Sequence, residues 1–253
     1  LDYVKIEPQR VLDLGCGPGA TLAALGERYP RAQVIGADFS EPMLRASLAP
    51  RSRLRWLMPF LRGAKSALVA ADAAALPFAA GSQGLVWSNL LLHWLADPQP
   101  ALREMHRVLE VDGLLMFSTL GPDSLKELRA CFPDGAARSL RFIDLHDYGD
   151  MLVECGFADP VMDAERLTVT YPSFDALVDE LRRSGASNGL FDRPRGLTGR
   201  GAWAAARANY EALRQDGRLP VTLEVVYGHA WKAAPKQTPD GRAIVRFDLP
   251  HIG

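Results

Sequence analysis

Cysteine is scarce in this chain: three in 253 residues, at 16, 131 and 155, with no CxxC pair and no Cys/His ligand spacing. That argues against a disulfide framework and a zinc site, and it favours a reducing, cytoplasmic setting. Long hydrophobic runs are missing too. The longest candidate, Leu90 to Leu95, is broken by His93 and falls far short of the ~18 residues that cross a bilayer. No secretory signal is visible, and no internal repeat. Only Trp56 and Phe60 stand among basic residues as aromatics do in nucleic-acid platforms, too few for such a surface. No excess of one charge sign exists either, and a net charge of -1 says nothing about partners.

What is present is the composition of a globular protein: 48% apolar and 23% charged residues. The length allows one large domain, or one domain carrying insertions. Charge is uneven locally. Residues 45–65 hold six basic side chains and no acid, and Arg182 to Arg218 holds eight Arg against three acids. Either stretch is a solvated face or a surface for an acidic partner.

Short apolar runs alternate with helical patterns over the first 120 residues. Strands are expected at Val11 to Leu14, Gln33 to Ala37, Ala67 to Ala71, Gly84 to Ser88 and Gly113 to Thr119. Helices are expected at Thr21 to Tyr29, Glu41 to Leu48 (with Ser40 as N-cap) and Pro100 to Leu109. Strands that are apolar almost throughout and alternate with helices make a parallel sheet covered on both faces. Residues 1–120 therefore form a doubly wound α/β core. Further helices are expected at Asp123 to Ala130, His146 to Cys155, Phe174 to Arg183 and Gly201 to Gln215, with strands at Leu167 to Tyr171 and Val221 to Trp231. The segments 121–145 and 173–218 are too long for sheet connections and read as a helical cap over the sheet's carboxyl edge. Residues 146–172 and 219–232 return to the core, and 233–253 form a loosely held tail.

The first strand ends in Asp13-Leu-Gly15-Cys16-Gly17-Pro-Gly19. In an open α/β sheet, ligands bind beyond the carboxyl ends of the strands, and glycines there let backbone approach a ligand closely. The spacing alone also satisfies the relaxed dinucleotide fingerprint, so the glycines do not choose a cofactor. The acids do. Asp13 stands where a carboxylate faces the ligand: it would repel a pyrophosphate and attract a sulfonium or ammonium. Asp38 ends the second strand and suits ribose hydroxyls. Asp72, beside Ala73, ends the third and suits an adenine amino group. Each alone is also an ordinary helix N-cap; three on one edge are a pattern.

With these residues in view, positions 11–120 resemble the class I S-adenosylmethionine-dependent methyltransferases. The resemblance implies a Rossmann-like, mostly parallel seven-stranded sheet ending in an antiparallel strand, with S-adenosyl-L-methionine as cofactor. It also implies that Phe39 and Met43 line the ribose or adenine, and that Ser88, Asn89 and Leu90 touch the methionine part. A closer resemblance rests on Trp87-Ser-Asn-Leu-Leu-Leu-His-Trp94, Phe117 to Leu128, Arg141-Phe142, Arg195-Gly-Leu-Thr-Gly-Arg200 and Val225 to Trp231. These look like the malonyl-acyl-carrier-protein O-methyltransferases of biotin synthesis, which methylate the free carboxylate of malonyl-acyl carrier protein. The physical logic is plain: an ionised carboxylate is costly to bury in an apolar synthase tunnel, and its methyl ester is not.

That resemblance implies a partner, the malonyl-loaded acyl carrier protein, with no nucleic acid, metal or membrane. A carboxylate nucleophile is already ionised near neutral pH, so the site needs alignment and desolvation more than a base. Arg141 is the first candidate to orient the carboxylate; His93 and Trp94 are candidates to line the acceptor pocket; Tyr171, Arg200 and Tyr227 follow. The Arg182 to Arg218 stretch is a candidate docking face for an acidic carrier. The family usually opens with a helix bearing a lid Tyr, whereas this sequence starts directly before strand one, so such a lid is not expected from these residues. Two alternatives stay open: the related complex I assembly branch that hydroxylates arginine, and a small-molecule methyltransferase.

Overall fold

The strand that ends at the glycines is the middle of the sheet. The computed structural model describes residues 4–48, 67–132, 142–184 and 199–234. Arg10–Leu14 (β1) pairs in parallel with Gln33–Asp38 (β2) on one side and Gln83–Asn89 (β4) on the other. Ala67–Ala70 (β3) flanks β2, and Leu109–Leu120 (β5) flanks β4. Leu219–Trp231 (β7) runs antiparallel to β5, and Ala158–Tyr171 (β6) antiparallel to β7 at the edge. The order β3-β2-β1-β4-β5-β7-β6 is the expected seven-stranded, mostly parallel arrangement. Strand order reverses between β1 and β4, so the crevice for a ligand opens beyond their carboxyl ends.

Two helical layers cover the sheet because successive strand residues face opposite sides. On one face Leu12, Leu14, Val86, Leu115 and Phe117 pack against Gln99–Val108 (α3) and Leu145–Glu154 (α5). On the other, Val11, Val34, Leu85 and Leu114 pack against Leu22–Arg28 (α1) and Leu44 of Glu41–Leu48 (α2). The helical spacing read at α3 is real: Ala101, Leu102, Met105 and Val108 are all fully buried. Each of the larger three contributes about 1.5–3 kcal/mol by leaving water.

A third core lies where β6 and β7 run past the end of β5. The last β5–β7 pair is Leu120 with Val225, but β6–β7 pairing continues to Tyr171 with Leu219. Leu219 and Val221 of that overhang meet Leu125, Phe174 and Leu177 of Phe174–Arg183 (α6), and Tyr210 of Arg200–Glu211 (α7). Ser173 opens α6 by accepting a hydrogen bond from the Ala176 N–H at 3.2 Å.

Four expectations need correction. β6 begins at Ala158 rather than Leu167: residues 158–165 alternate between half-buried and exposed, but Pro160 and a register shift between Ala158 and Val161 interrupt the strand pattern there. β5 begins at Leu109, ahead of Gly113, since Leu109 already pairs with Gln83 of β4 before the register shifts and pairing resumes at Leu114. The helix expected from Asp123 starts only at Lys126 (α4, Lys126–Ala130). Residues before it bond to β7 instead: Asp123 N–H to Glu224 Oε2, Ser124 Oγ to the Glu224 carbonyl, and Leu125 N–H to the Thr222 carbonyl. α7 stops at Glu211, short of Gln215, because Asp216 and Gly217 form a tight two-residue turn into β7 with positive φ at both positions. Residues 133–141 of the expected cap segment 121–145, and the tail from 235 onward, lie outside the described residues.

Candidate active site

The loop from Gly15 to Gly19 turns in the left-handed region at each glycine, with φ of +76°, +51° and +72°. These are backbone angles that only glycine adopts cheaply. Three ties shape the loop. Gly15 and Cys16 N–H groups bond the Ala37 carbonyl at 2.8 and 3.1 Å. The Gly17 N–H donates to Asp38 Oδ2 at 2.8 Å. Leu91 packs so closely on Gly15 that an added Cβ would lie 3.0 Å from the Leu91 Cβ. At Gly17 the same Cβ would meet nothing within 4 Å, so the loop leaves open space there.

Asp38 holds the loop with one oxygen and the Ser40 N–H with the other, at 2.7 Å, and each oxygen keeps a lone pair. Ser40 stands at the N-cap position of α2, its carbonyl accepting from the Leu44 N–H. Phe39 and Met43 are exposed beside it. Asp72, exposed at the end of the third strand, accepts from the Ala74 N–H at 2.9 Å, and Ala73 is buried. Beyond it, Glu104 and Arg107 of α3 pair with each other and fix the Leu76-Pro-Phe segment through its backbone.

Asp13 departs from its expected pose. Its carboxylate does not face out from the sheet edge; the strand's twofold period turns it under the loop on the α1 face. There it is 1% exposed and accepts the Thr21 hydroxyl. Burial, opposed by that hydrogen bond and reinforced by Asp38, pushes its pKa up to about 6. Cys16 likewise turns its thiol into the core, and burial pushes its pKa up to about 12. Of the partners of Asp13 and Asp38, Gly17 belongs to the glycine pattern, whereas Thr21 was not marked as a site residue.

Beyond β4 the chain strains and then turns. Leu90 sits in the left-handed region at φ +56°, with its N–H on the Ser118 carbonyl, and Ser118's hydroxyl donates to the Asn89 side chain. Such non-glycine strain gathers at functional sites. Ser88 is fully buried and its hydroxyl has no partner among the described residues. A 3-10 turn, Leu92–Trp94, follows directly on Leu91, so His93 and Trp94 stand next to the glycine loop. His93 is buried; its Nδ1 lies 3.5 Å from the Thr119 hydroxyl, and burial lowers its pKa to about 4. Trp94 is half exposed, its ring 5.2 Å from the His93 ring.

Phe142 lies 6.3 Å from His93, and the Arg129 guanidinium stands over Phe142 at 5.8 Å. Arg129 is a cation that the sequence reading missed. It also binds the carbonyls of Pro122 and Ser124, closing the turn before α4. Arg141, the residue expected in this role, lies outside the described residues. Tyr227 pairs with Ser118 and so occupies the opposite sheet face from Thr119 and His93, Tyr171 belongs to the third core, and Arg200 opens α7. Among the described residues no cluster of ligands could hold a metal ion, and no helix is long and apolar enough to cross a membrane.

A glycine-turned loop at the switch point and acids closing the first three strands, on this strand order, define a class I methyltransferase. Residues 12–117 match the family model described as a methyltransferase domain. Among solved structures, YcgJ of Bacillus subtilis superposes with a TM-score of 0.61 at 19% identity, covering 90% of this chain and 93% of its own. Phosphoethanolamine N-methyltransferase 2 of Haemonchus contortus, solved with S-adenosyl-L-methionine, gives 0.54 at 18%, covering 92% and 50%. Two curated relatives are far nearer in sequence. The malonyl-[acyl-carrier protein] O-methyltransferase of Gallionella capsiferriformans is 50% identical over 97% of this chain and 84% of its own length. That of Laribacter hongkongensis is 52% identical over 99% and 86%. The chain belongs to the malonyl-[acyl-carrier protein] O-methyltransferase family.

Proposed function

We propose that this chain transfers a methyl group from S-adenosyl-L-methionine to the free carboxylate of malonyl-acyl carrier protein, opening biotin synthesis. The observation that carries the reading is the extent of the likeness: alignments at 50% and 52% overall identity cover 97% and 99% of the chain, and so reach well past the cofactor core into the segments after residue 120. Those later segments, α4, α6 and α7 with the overhang of β6 and β7, form the acceptor side.

The described residues suit this cofactor. Open space at Gly17 admits a ligand against the backbone, Asp38 offers lone pairs for hydroxyls, and Asp72 has one carboxylate oxygen beyond its own turn. When bound, S-adenosyl-L-methionine supplies an electrophilic methyl group on a sulfonium, which the carboxylate oxygen takes as the carbon–sulfur bond breaks. Buried Asp13 adds negative potential beneath the loop.

No proton has to be removed from a malonyl carboxylate near neutral pH. The task of the chain is to align and desolvate it. Neutral His93 donates a hydrogen bond to the carboxylate without adding a buried charge. Trp94 and Phe142 wall the site against water, and Arg129 provides the positive field at its far end. The three cysteines are free and buried, in keeping with a reducing cytoplasm. Purified protein given labelled cofactor should methylate malonyl-acyl carrier protein in preference to malonyl-coenzyme A, and its gene should rescue a biotin auxotroph. No transfer to either acceptor would refute the proposal.

A further inference from the structure

Thr119 sits one residue from the end of β5 and is fully buried on the sheet face that carries α5. On one side its hydroxyl lies 3.5 Å from His93 Nδ1. On the other stands Tyr148 of α5, whose ring meets Phe117, two residues earlier on the same face, at 5.9 Å. Tyr148 is also fully buried, and its hydroxyl has no hydrogen-bond partner among the described residues. Burial raises the phenol's pKa, and the nearby Thr119 hydroxyl acts in the opposite direction. Phe117 and Thr119 share this face of β5, so the phenol and the Thr119 hydroxyl are buried in the same layer between β5 and α5.

We propose that Tyr148 and Thr119 are positioning residues for His93, forming a buried relay in which Tyr148 donates to Thr119 and Thr119 donates to Nδ1. The inference rests on the reading that His93 serves the acceptor carboxylate. Its direction follows from counting protons. A neutral imidazole has one donor and one acceptor, and a phenol has a single proton to give. Were Nδ1 protonated, it would donate to Thr119, Thr119 would turn its own proton toward Tyr148, and the phenol proton would be left without an acceptor in a dry core. The opposite order leaves no donor stranded. It also fixes the imidazole proton on Nε2, the nitrogen turned away from Thr119. His93 is then an uncharged donor whose tautomer is set by the sheet.

The test is nitrogen NMR on the whole protein, labelled at its five histidines, with the His93 signal assigned by its loss in H93Q. Wild type and T119S should show Nδ1 bare and Nε2 protonated; T119V and Y148F should show a mixture of tautomers. In kinetics, T119V should raise KM for the malonyl acceptor or lower kcat by about tenfold, while T119S stays near wild type. H93Q, whose amide reaches the Nε2 position, should retain more activity than H93N. Unchanged affinity for S-adenosylhomocysteine certifies that each variant is folded. An Nδ1-protonated His93 in wild type, or T119V with unaltered tautomer and acceptor kinetics, would overturn the relay. Failure of wild type to methylate malonyl-acyl carrier protein would instead overturn the proposed reaction, because the tautomer measurement requires no turnover.

Discussion

Replacing Asp13 by Asn should make the cofactor-free protein more stable at neutral pH while weakening its hold on the cofactor. The carboxylate is 1% exposed, and burial, against the Thr21 hydrogen bond, lifts its pKa from an ordinary 3.8 to about 6. The folded state therefore binds the proton more tightly than the unfolded chain. Below pH 4 both states are protonated and there is no penalty. As pH rises from 4 to 6 the unfolded state ionises first, and stability falls by up to about 3 kcal/mol. Asn cannot ionise, so D13N should lack this component and exceed wild type by as much as that amount above pH 6. Loss of a charge-assisted bond from Thr21 reduces the gain by about 1 kcal/mol. Cofactor binding should run the other way. A sulfonium and an ammonium near the loop favour the ionised carboxylate, so affinity should climb through pH 6, by at most about a hundredfold if the pKa returns to its ordinary value. Urea titrations between pH 4 and 8, with calorimetric S-adenosyl-L-methionine binding over the same range, measure both. Wild type and D13N with parallel stability profiles and the same pH dependence of binding would refute the reasoning.

Gly15→Ala and Gly17→Ala should separate fold from ligand. Each places a Cβ at positive φ, costing about 1–2 kcal/mol, but only at Gly15 does it press on Leu91, 3.0 Å away, and shift the 3-10 turn behind it. G15A should lose more melting temperature, whereas G17A should stay well folded and lose cofactor affinity; equal melting curves would count against this assignment. Tyr210→Phe removes the hydroxyl that donates to the half-buried Pro220 carbonyl at 2.8 Å, and should cost about 0.5–1.5 kcal/mol in urea unfolding. Arg200→Glu, at the exposed start of α7, should raise KM for the carrier-linked acceptor far more than for a small malonyl thioester. Equal changes for both would remove the idea of an acidic partner docking there; Arg193 and Arg195, in the same basic stretch, lie outside the described residues.

Local signals carried far in this chain. The short run Val11 to Leu14 ending in glycines, acids at three strand ends and the spacing of Leu102, Met105 and Val108 were enough to place the doubly wound core and to name the cofactor. Such features are written in neighbouring residues, because glycine angles and helical or strand periods are properties of a few consecutive positions. Recognition of the acceptor-side motifs extended this to the family. What periodicity could not reach are pairings between distant positions. Gly17 meets Asp38 across 21 residues, Thr119 meets His93 across 26, and Asp123 meets Glu224 across 101. The edge strand β6 hid its first half for a related reason: Pro160 reads as a strand breaker, and only pairing with the distant β7 makes a strand of it. Only the assembled sheet decided that Asp13 lies beneath the loop instead of facing the crevice, because burial of a side chain depends on which helix lands over it. The composition of the loop named a ligand edge; the packing around it determined which atoms are available there.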